Sequence, residues 1–109
     1  MGTRKKPQVI WDIEAKHALD NIYDYIYLDS PSAAKYVKRT IVKLASTLNY
    51  FSEKHARELI LEEEKENYRS ITKWHYKIIY EVTPEAIIIV YVFHTSQDPE
   101  KLKQFKWHD

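Results

Sequence analysis

Two apolar runs near the C-terminal end of the chain constrain the fold more than any other feature. The first, YKIIYEV, covers residues 76–82, and the second, AIIIVYVF, covers residues 86–93. Both are rich in Ile, Val and Tyr, which favour β-strands. Pro84, in the intervening TPEA, suits the first central position of a tight turn. The pattern predicts an apolar antiparallel β-hairpin whose second strand is followed directly by His94.

The N-terminal half of the chain predicts a short strand followed by a helix. QVIWD, residues 8–12, has the composition of a strand, and Asp12 is placed to cap the helix after it. Apolar residues then recur at helical spacing, so the helix should run for about 15 residues and end near Asp29.

A second amphipathic helix should begin immediately after the first. Ser30 is a good N-cap, and Pro31 occupies the first helical position, where its missing N–H is not needed. Its apolar residues alternate steps of three and four and form one seam: Ala34, Val37, Ile41, Leu44, Leu48 and Phe51. Because the break between the helices is short, we expect an antiparallel helical hairpin packed along this seam.

The segments together predict an α+β fold with the order β-α-α-β-β-β. Residues 52–66 are compatible with either a third short helix or a loop with a brief strand at Leu59–Leu61. Residues 67–74 predict a strand that joins the hairpin in a meander. The helical hairpin should pack on one face of an antiparallel sheet. We expect a single domain over residues 1–109, with 1–7 and 99–109 as flexible or tail segments.

Composition excludes several classes of function. The chain of 109 residues has one glycine and no cysteine, so a glycine-rich phosphate loop, a disulfide and a cysteine zinc site are all excluded. The five histidines lack the spacing of a metal site, and we expect no metal and no cofactor. The longest apolar run, residues 86–93, is too short to span a bilayer, so we expect no membrane association.

The hairpin's geometry gathers polar residues at the end distant from its turn. A turn centred on Pro84 and Glu85 pairs Val82 with Ile87, and continuing that register pairs position 75 with 94. His75, Lys77, Val92 and His94 would then share one face. A one-residue bulge would separate them.

Such a cluster has a chemical interpretation and an ordinary one. An imidazole transfers protons near neutral pH, and Lys77 with Arg69 on the neighbouring strand could stabilise the charge of a phosphorane-like transition state. That arrangement would support metal-free RNA cleavage. Alternatively, His94 is simply a half-exposed residue at a strand end.

The segments SPSAAKYV, NYRSI, YKIIYEV and IIIVYVFHTSQDP, in this order, resemble the RelE/ParE superfamily of bacterial toxins from type II toxin–antitoxin systems. The resemblance extends from Val9 to about Leu102, and the superfamily that it indicates includes plasmid-stabilisation proteins. It implies a microbial-RNase-like fold, a cytoplasmic toxin that arrests growth, and a cognate antitoxin that binds and neutralises it, in some cases as an oligomer.

The superfamily includes two activities. RelE-like members are ribosome-dependent mRNA endoribonucleases, and ParE-like members poison DNA gyrase. The resemblance implies that His94 is the general acid or base of the nuclease branch, with Lys77 and Arg69 as its cations. Many members have arginine where this chain has Lys77 and Gln97, which favours the gyrase-poison branch.

We therefore expect a toxin of the ParE-like type, with the endoribonuclease and a non-toxic antitoxin-binding module as alternatives. Contacts with the target are expected from four residues: His75, Lys73, Gln97 and Lys101. The antitoxin should bind at the edge of the first strand or along the helical seam.

Overall fold

The computed structural model describes residues 7–51 and 67–95, which form helices on one face of a four-stranded sheet. In chain order the elements are β1 (Gln8–Trp11), α1 (Ile13–Tyr27), α2 (Pro31–Ser46), α3 (Leu48–Phe51), β2 (Tyr68–Lys73), β3 (Tyr76–Val82) and β4 (Ala86–His94). The predicted order β-α-α-β-β-β is confirmed, with the short α3 added after the second helix. The unassigned segment 52–66 and most of both predicted tails lie outside the described residues.

Both long helices begin where the sequence predicts. The Asp12 carboxylate accepts a hydrogen bond from the backbone N–H of Ile13 at 2.8 Å, and α1 follows for 15 residues. The Ser30 hydroxyl accepts one from the backbone N–H of Ala33 at 3.2 Å, with Pro31 as the first residue of α2. These side chains satisfy amide groups that have no partner within the first helical turn.

The second helix ends earlier than the apolar seam predicts. The Ser46 hydroxyl donates to the carbonyl of Lys43 at 2.6 Å, and the Thr47 hydroxyl donates to that of Leu44 at 2.7 Å. Such local bonds compete with the helical backbone pattern. The continuous helix to Phe51 is therefore wrong, although Leu48 is still buried in the core beyond the break.

The sheet has the order β1-β4-β3-β2. The last three strands form the predicted antiparallel meander, but β1 pairs in parallel with β4. The expected antiparallel sheet is thus wrong at this edge, and the sheet is mixed. Parallel neighbours need a long crossover, which the helices and the meander supply between β1 and β4.

A bulge divides the hairpin into two registers. Val82 pairs with Ile87 as predicted, but the register shifts between Ile79 and Tyr80, and Val90 of β4 is the extra residue. The predicted pairing of position 75 with 94 is therefore wrong, because beyond the bulge Tyr76 is the partner of His94.

The helices cover one face of the sheet and bury the main core. Ala15, Leu19 and Ile41 lie in this core together with sheet residues that alternate along the strands, among them Ile78, Tyr80, Ile87, Ile89 and Val92. A second buried cluster contains Tyr68, Ile79, Val90 and Phe93 from the alternate positions. None of the described helices is long and apolar enough to cross a bilayer.

Candidate functional site at the end of the hairpin

His94 is half-buried at the end of β4, on the face of the sheet that the helices cover. Its Cα partner is Tyr76, and directly paired residues share a face. The two rings meet edge to face, with centroids 5.1 Å apart and planes at 83°. The bulge therefore places the imidazole beside a phenol.

His75 lies beside His94, although the two are not paired across the strands. It is the second residue of the two-residue β2–β3 turn and is exposed. The ring centroids of the two histidines are 6.0 Å apart, and the backbone N–H of Thr95 donates to the carbonyl of His75 at 2.7 Å. The structure thus brings the two imidazoles together as neighbours at the end of the sheet.

The two predicted cations do not join His94. Lys77 pairs with Phe93 and lies on the opposite face, so its predicted convergence with His94 is wrong because of the bulge. Arg69 pairs with Tyr80 on the helix-covered face, but Tyr80 is four residues, or about 13 Å, along β3 from Tyr76. The proposed acid/base group and its two charge-stabilising groups therefore occupy separate places.

Of the other predicted contact residues, Lys73 is at the same end of the sheet. It pairs with Tyr76 and so belongs to a row that runs from Lys73 through Tyr76 to His94. Its Nζ lies 5.1 Å from the centroid of the Trp74 ring. Gln97 and Lys101 lie outside the described residues.

A cavity of about 470 Å³ opens between α1 and the His94 end of the sheet. This His94 cavity has a wall of sheet residues (Tyr76, Tyr91, Val92 and His94) and a wall of α1 residues (Ala18, Asn21, Ile22, Tyr25 and Ile26). It is mainly aromatic and aliphatic, and Tyr25 at its opening is 76% exposed. The cavity is shaped for an apolar group with few hydrogen bonds.

Sequence reasoning did not single out Asn21, Tyr25 or Tyr76 as members of this site. A signal was present for the helix, because Ile22 and Ile26 belong to the apolar stripe and Tyr25 flanks it. No comparable signal existed for Tyr76, since its place beside His94 depends on the bulge.

The site could transfer protons. Burial raises the pKa of the Tyr76 phenol above its ordinary 10.0, so the ring beside His94 remains neutral at physiological pH. A half-buried imidazole next to a neutral phenol is suited to acid or base chemistry. Among the described residues no three His, Asp or Glu side chains are grouped to hold a metal ion.

The fold of this chain has a counterpart among solved structures. The described fold, with two long helices on a mixed four-stranded sheet, is shared by a solved structure titled "Chromosomal ParDE TA system from P. aeruginosa". The TM-score is 0.68 at 24% sequence identity, over 82% of this chain and 96% of that one. No curated protein matches significantly.

The family model "ParE toxin of type II toxin-antitoxin system, parDE" matches residues 9–99. The chain belongs to this family. The resemblance to the RelE/ParE superfamily is therefore confirmed, and the protein is a toxin component of a type II toxin–antitoxin system.

Proposed function

We propose that this toxin acts in the ParE manner, by poisoning DNA gyrase, and does not cleave RNA. The observation that carries the proposal is the separation of the three residues that a nuclease would need together. Lys77 lies on the opposite face of the sheet from His94, and Arg69 is about 13 Å along the strand from the row that contains His94. Phosphoryl chemistry relies on closely placed cations, and distance weakens their effect on the transition state.

A ribosome-dependent endoribonuclease is the second candidate, because one observation favours it. His94 is half-buried against the neutral phenol of Tyr76, and His75 is close by. In this mechanism His94 is the general acid or base, and the cationic groups come from elsewhere in the assembled complex.

Purified protein should be tested in parallel on gyrase supercoiling and on mRNA in a translating ribosome extract. We expect inhibited supercoiling with accumulation of cleaved DNA, and intact mRNA. Cleavage of mRNA without an effect on gyrase would overturn the proposal. Induced expression that leaves growth unaffected would point to the third candidate, a non-toxic antitoxin-binding module.

His94→Ala separates the two mechanisms at the level of one residue. The gyrase proposal predicts that the variant remains toxic, whereas a nuclease would lose activity by about 10²-fold or more without its general acid or base. His17→Ala is the matched control, because His17 is an exposed imidazole on α1 outside the cavity. Growth after induced expression of each variant is the measurement.

We also propose that the cognate antitoxin binds at β1. This strand forms one edge of the sheet built by the described strands, and edge strands accept an added strand from a partner. The helical seam is the less suitable surface, because Ala34, Ile41 and Ala45 are buried. Hydrogen exchange with and without the antitoxin should show new protection at Gln8–Trp11; protection confined to α2 would favour the seam.

A further inference from the structure

A second concave surface lies beside α2, the other long helix of the layer, and extends to the end of β2. It has a volume of about 500 Å³, and its walls include Tyr36, Arg39, Thr40, Lys43 and Lys73. We call it the basic groove. Trp74, in the β2–β3 turn, contacts Tyr36 at its rim, with ring centroids 5.7 Å apart.

Among the described residues that line this groove, every charged side chain is basic. Arg39 and Lys43 are one helical turn apart on α2, and Lys73 faces them from β2. The sixteen residues of α2 include four cations and no carboxylate, and β2 also contains no carboxylate. The groove is therefore a local positive surface on a chain whose net charge is only +1.

The aromatic side chains beside these cations face solvent. Trp74 is 46% exposed and Tyr36 is 57% exposed. The Lys73 ammonium lies 5.1 Å from the centroid of the indole ring, within the range of a cation–π contact, and the Tyr36 ring is tilted at 44° to the indole. Exposed rings next to cations form a surface on which a planar, negatively charged ligand can stack.

The backbone at Trp74 is strained. Its φ is 54°, a left-handed value that glycine adopts easily and other residues adopt at a cost. The two-residue turn between Lys73 and Tyr76 would be relaxed with glycine at this position. A large aromatic residue held in a strained, exposed turn indicates a role for the ring other than stability.

We propose that the basic groove binds single-stranded nucleic acid. Bases stack on Trp74 and Tyr36, and the cations of the groove neutralise the neighbouring phosphates. A duplex keeps its base faces inside its own stack, so it cannot use the rings, and an acidic peptide would use the cations alone. No group in this arrangement is assigned to the 2′-hydroxyl, so RNA and DNA strands should bind alike. The inference is independent of the gyrase proposal and of the His94 cavity.

Fluorescence anisotropy of labelled oligothymidylate and oligouridylate, each of about 16 nucleotides, tests the binding. We expect the two to bind within about threefold of each other, and more tightly than a duplex of equal length. With three phosphate contacts, log affinity should fall with log salt with a slope of about −2. Equal or tighter binding of the duplex would overturn the proposal.

Variants separate stacking from charge. Trp74→Gly removes the ring while relaxing the turn, and it should weaken binding at least about fivefold, as should Tyr36→Ala. The double change Arg39→Gln, Lys43→Gln should reduce the salt slope to about −0.7. Lys43→Gln alone should also weaken binding, and Lys16→Gln, which removes one charge from the exposed face of α1, is its control and should leave the affinity unchanged.

Two results would contradict the assignment. If Trp74→Gly and Tyr36→Ala both bind like the unaltered protein, the rings do not stack on bases. If Lys16→Gln weakens binding as much as a single change at Lys43, the attraction is a general charge effect and the groove is not the site.

Discussion

The two concave surfaces of this toxin lie at the same end of the sheet but differ in chemistry. The His94 cavity is formed with α1 and is mainly aromatic and aliphatic. The basic groove is formed with α2 and combines cations with exposed rings. Tyr76 of β3 lines the His94 cavity, and its paired neighbour on β2, Lys73, lines the basic groove.

The difference originates in the composition of the two helices. α1 has carboxylates at Glu14, Asp20 and Asp24 as well as several tyrosines, whereas the charged residues of α2 are all basic. Where the helices meet, the Lys38 ammonium lies 3.5 Å from the Asp20 carboxylate and 5.3 Å from the centroid of the Tyr23 ring. A net charge near zero therefore conceals two surfaces of different character, each able to accept a different class of partner.

The largest expected effect is on stability, because the His94 cavity is built on the buried core whereas the basic groove is formed by exposed and partly exposed side chains. Ile78 is fully buried and pairs with Val92, a wall of the His94 cavity. We expect Ile78→Ala to lower the free energy of unfolding by about 2–5 kcal/mol, since it removes apolar contacts and leaves a void in the core. Urea unfolding followed by circular dichroism measures the change.

The matched change in the basic groove is Thr40→Ala. Thr40 is a partly exposed residue of α2, and its hydroxyl donates to the carbonyl of Tyr36 at 2.8 Å, one turn earlier. Its loss should alter the free energy of unfolding by about 0.5 kcal/mol or less. If Thr40→Ala and Ile78→Ala lowered the free energy of unfolding by similar amounts, the groove would be part of the buried core, contrary to what we expect.

The next effect concerns the strained turn at the rim of the groove. Because residue 74 has a φ of 54°, Trp74→Gly should be more stable than Trp74→Ala by about 1 kcal/mol. Both variants lose the indole ring, so their difference isolates the backbone. Equal urea midpoints for the two would mean that the turn does not hold this conformation in solution.

What the sequence predicts correctly in this chain is local. Asp12 and Ser30 cap helices through bonds to residues at most three positions away, and Pro31 follows Ser30 as the first residue of α2. The turn at Pro84 joins strands that are neighbours in the chain. A pattern of residue types is sufficient for such features, because the interacting groups are adjacent in the chain.

What the sequence does not predict depends on distant contacts. The bulge at Val90 follows from how β4 fits its neighbours, and it alone moves Lys77 to the face opposite His94. The parallel pairing of β1 joins residues nearly eighty positions apart, such as Val9 and Ile87. Likewise, Lys73 is thirty or more positions from Arg39 and Lys43 in the sequence, but it lies across the basic groove from them.

The smallest effect at neutral pH belongs to Tyr76, which lines the His94 cavity. Burial raises the pKa of its phenol above 10.0, so the folded protein holds this proton more tightly than the unfolded chain does. The resulting stability is fully present below pH 10.0 and is lost as the pH rises through the raised pKa. Tyr76→Phe lacks this proton, so its stability should decline less steeply in alkaline solution.

The difference in unfolding free energy between the unaltered protein and Tyr76→Phe isolates this one phenol, because the other tyrosines contribute equally to both proteins. It should be constant from neutral pH to about pH 9 and should then shift in favour of the variant. Chemical unfolding at a series of pH values measures it. A difference that stays constant through the alkaline range would mean that water reaches the phenol freely, and the His94 cavity would then be as open to solvent as the basic groove.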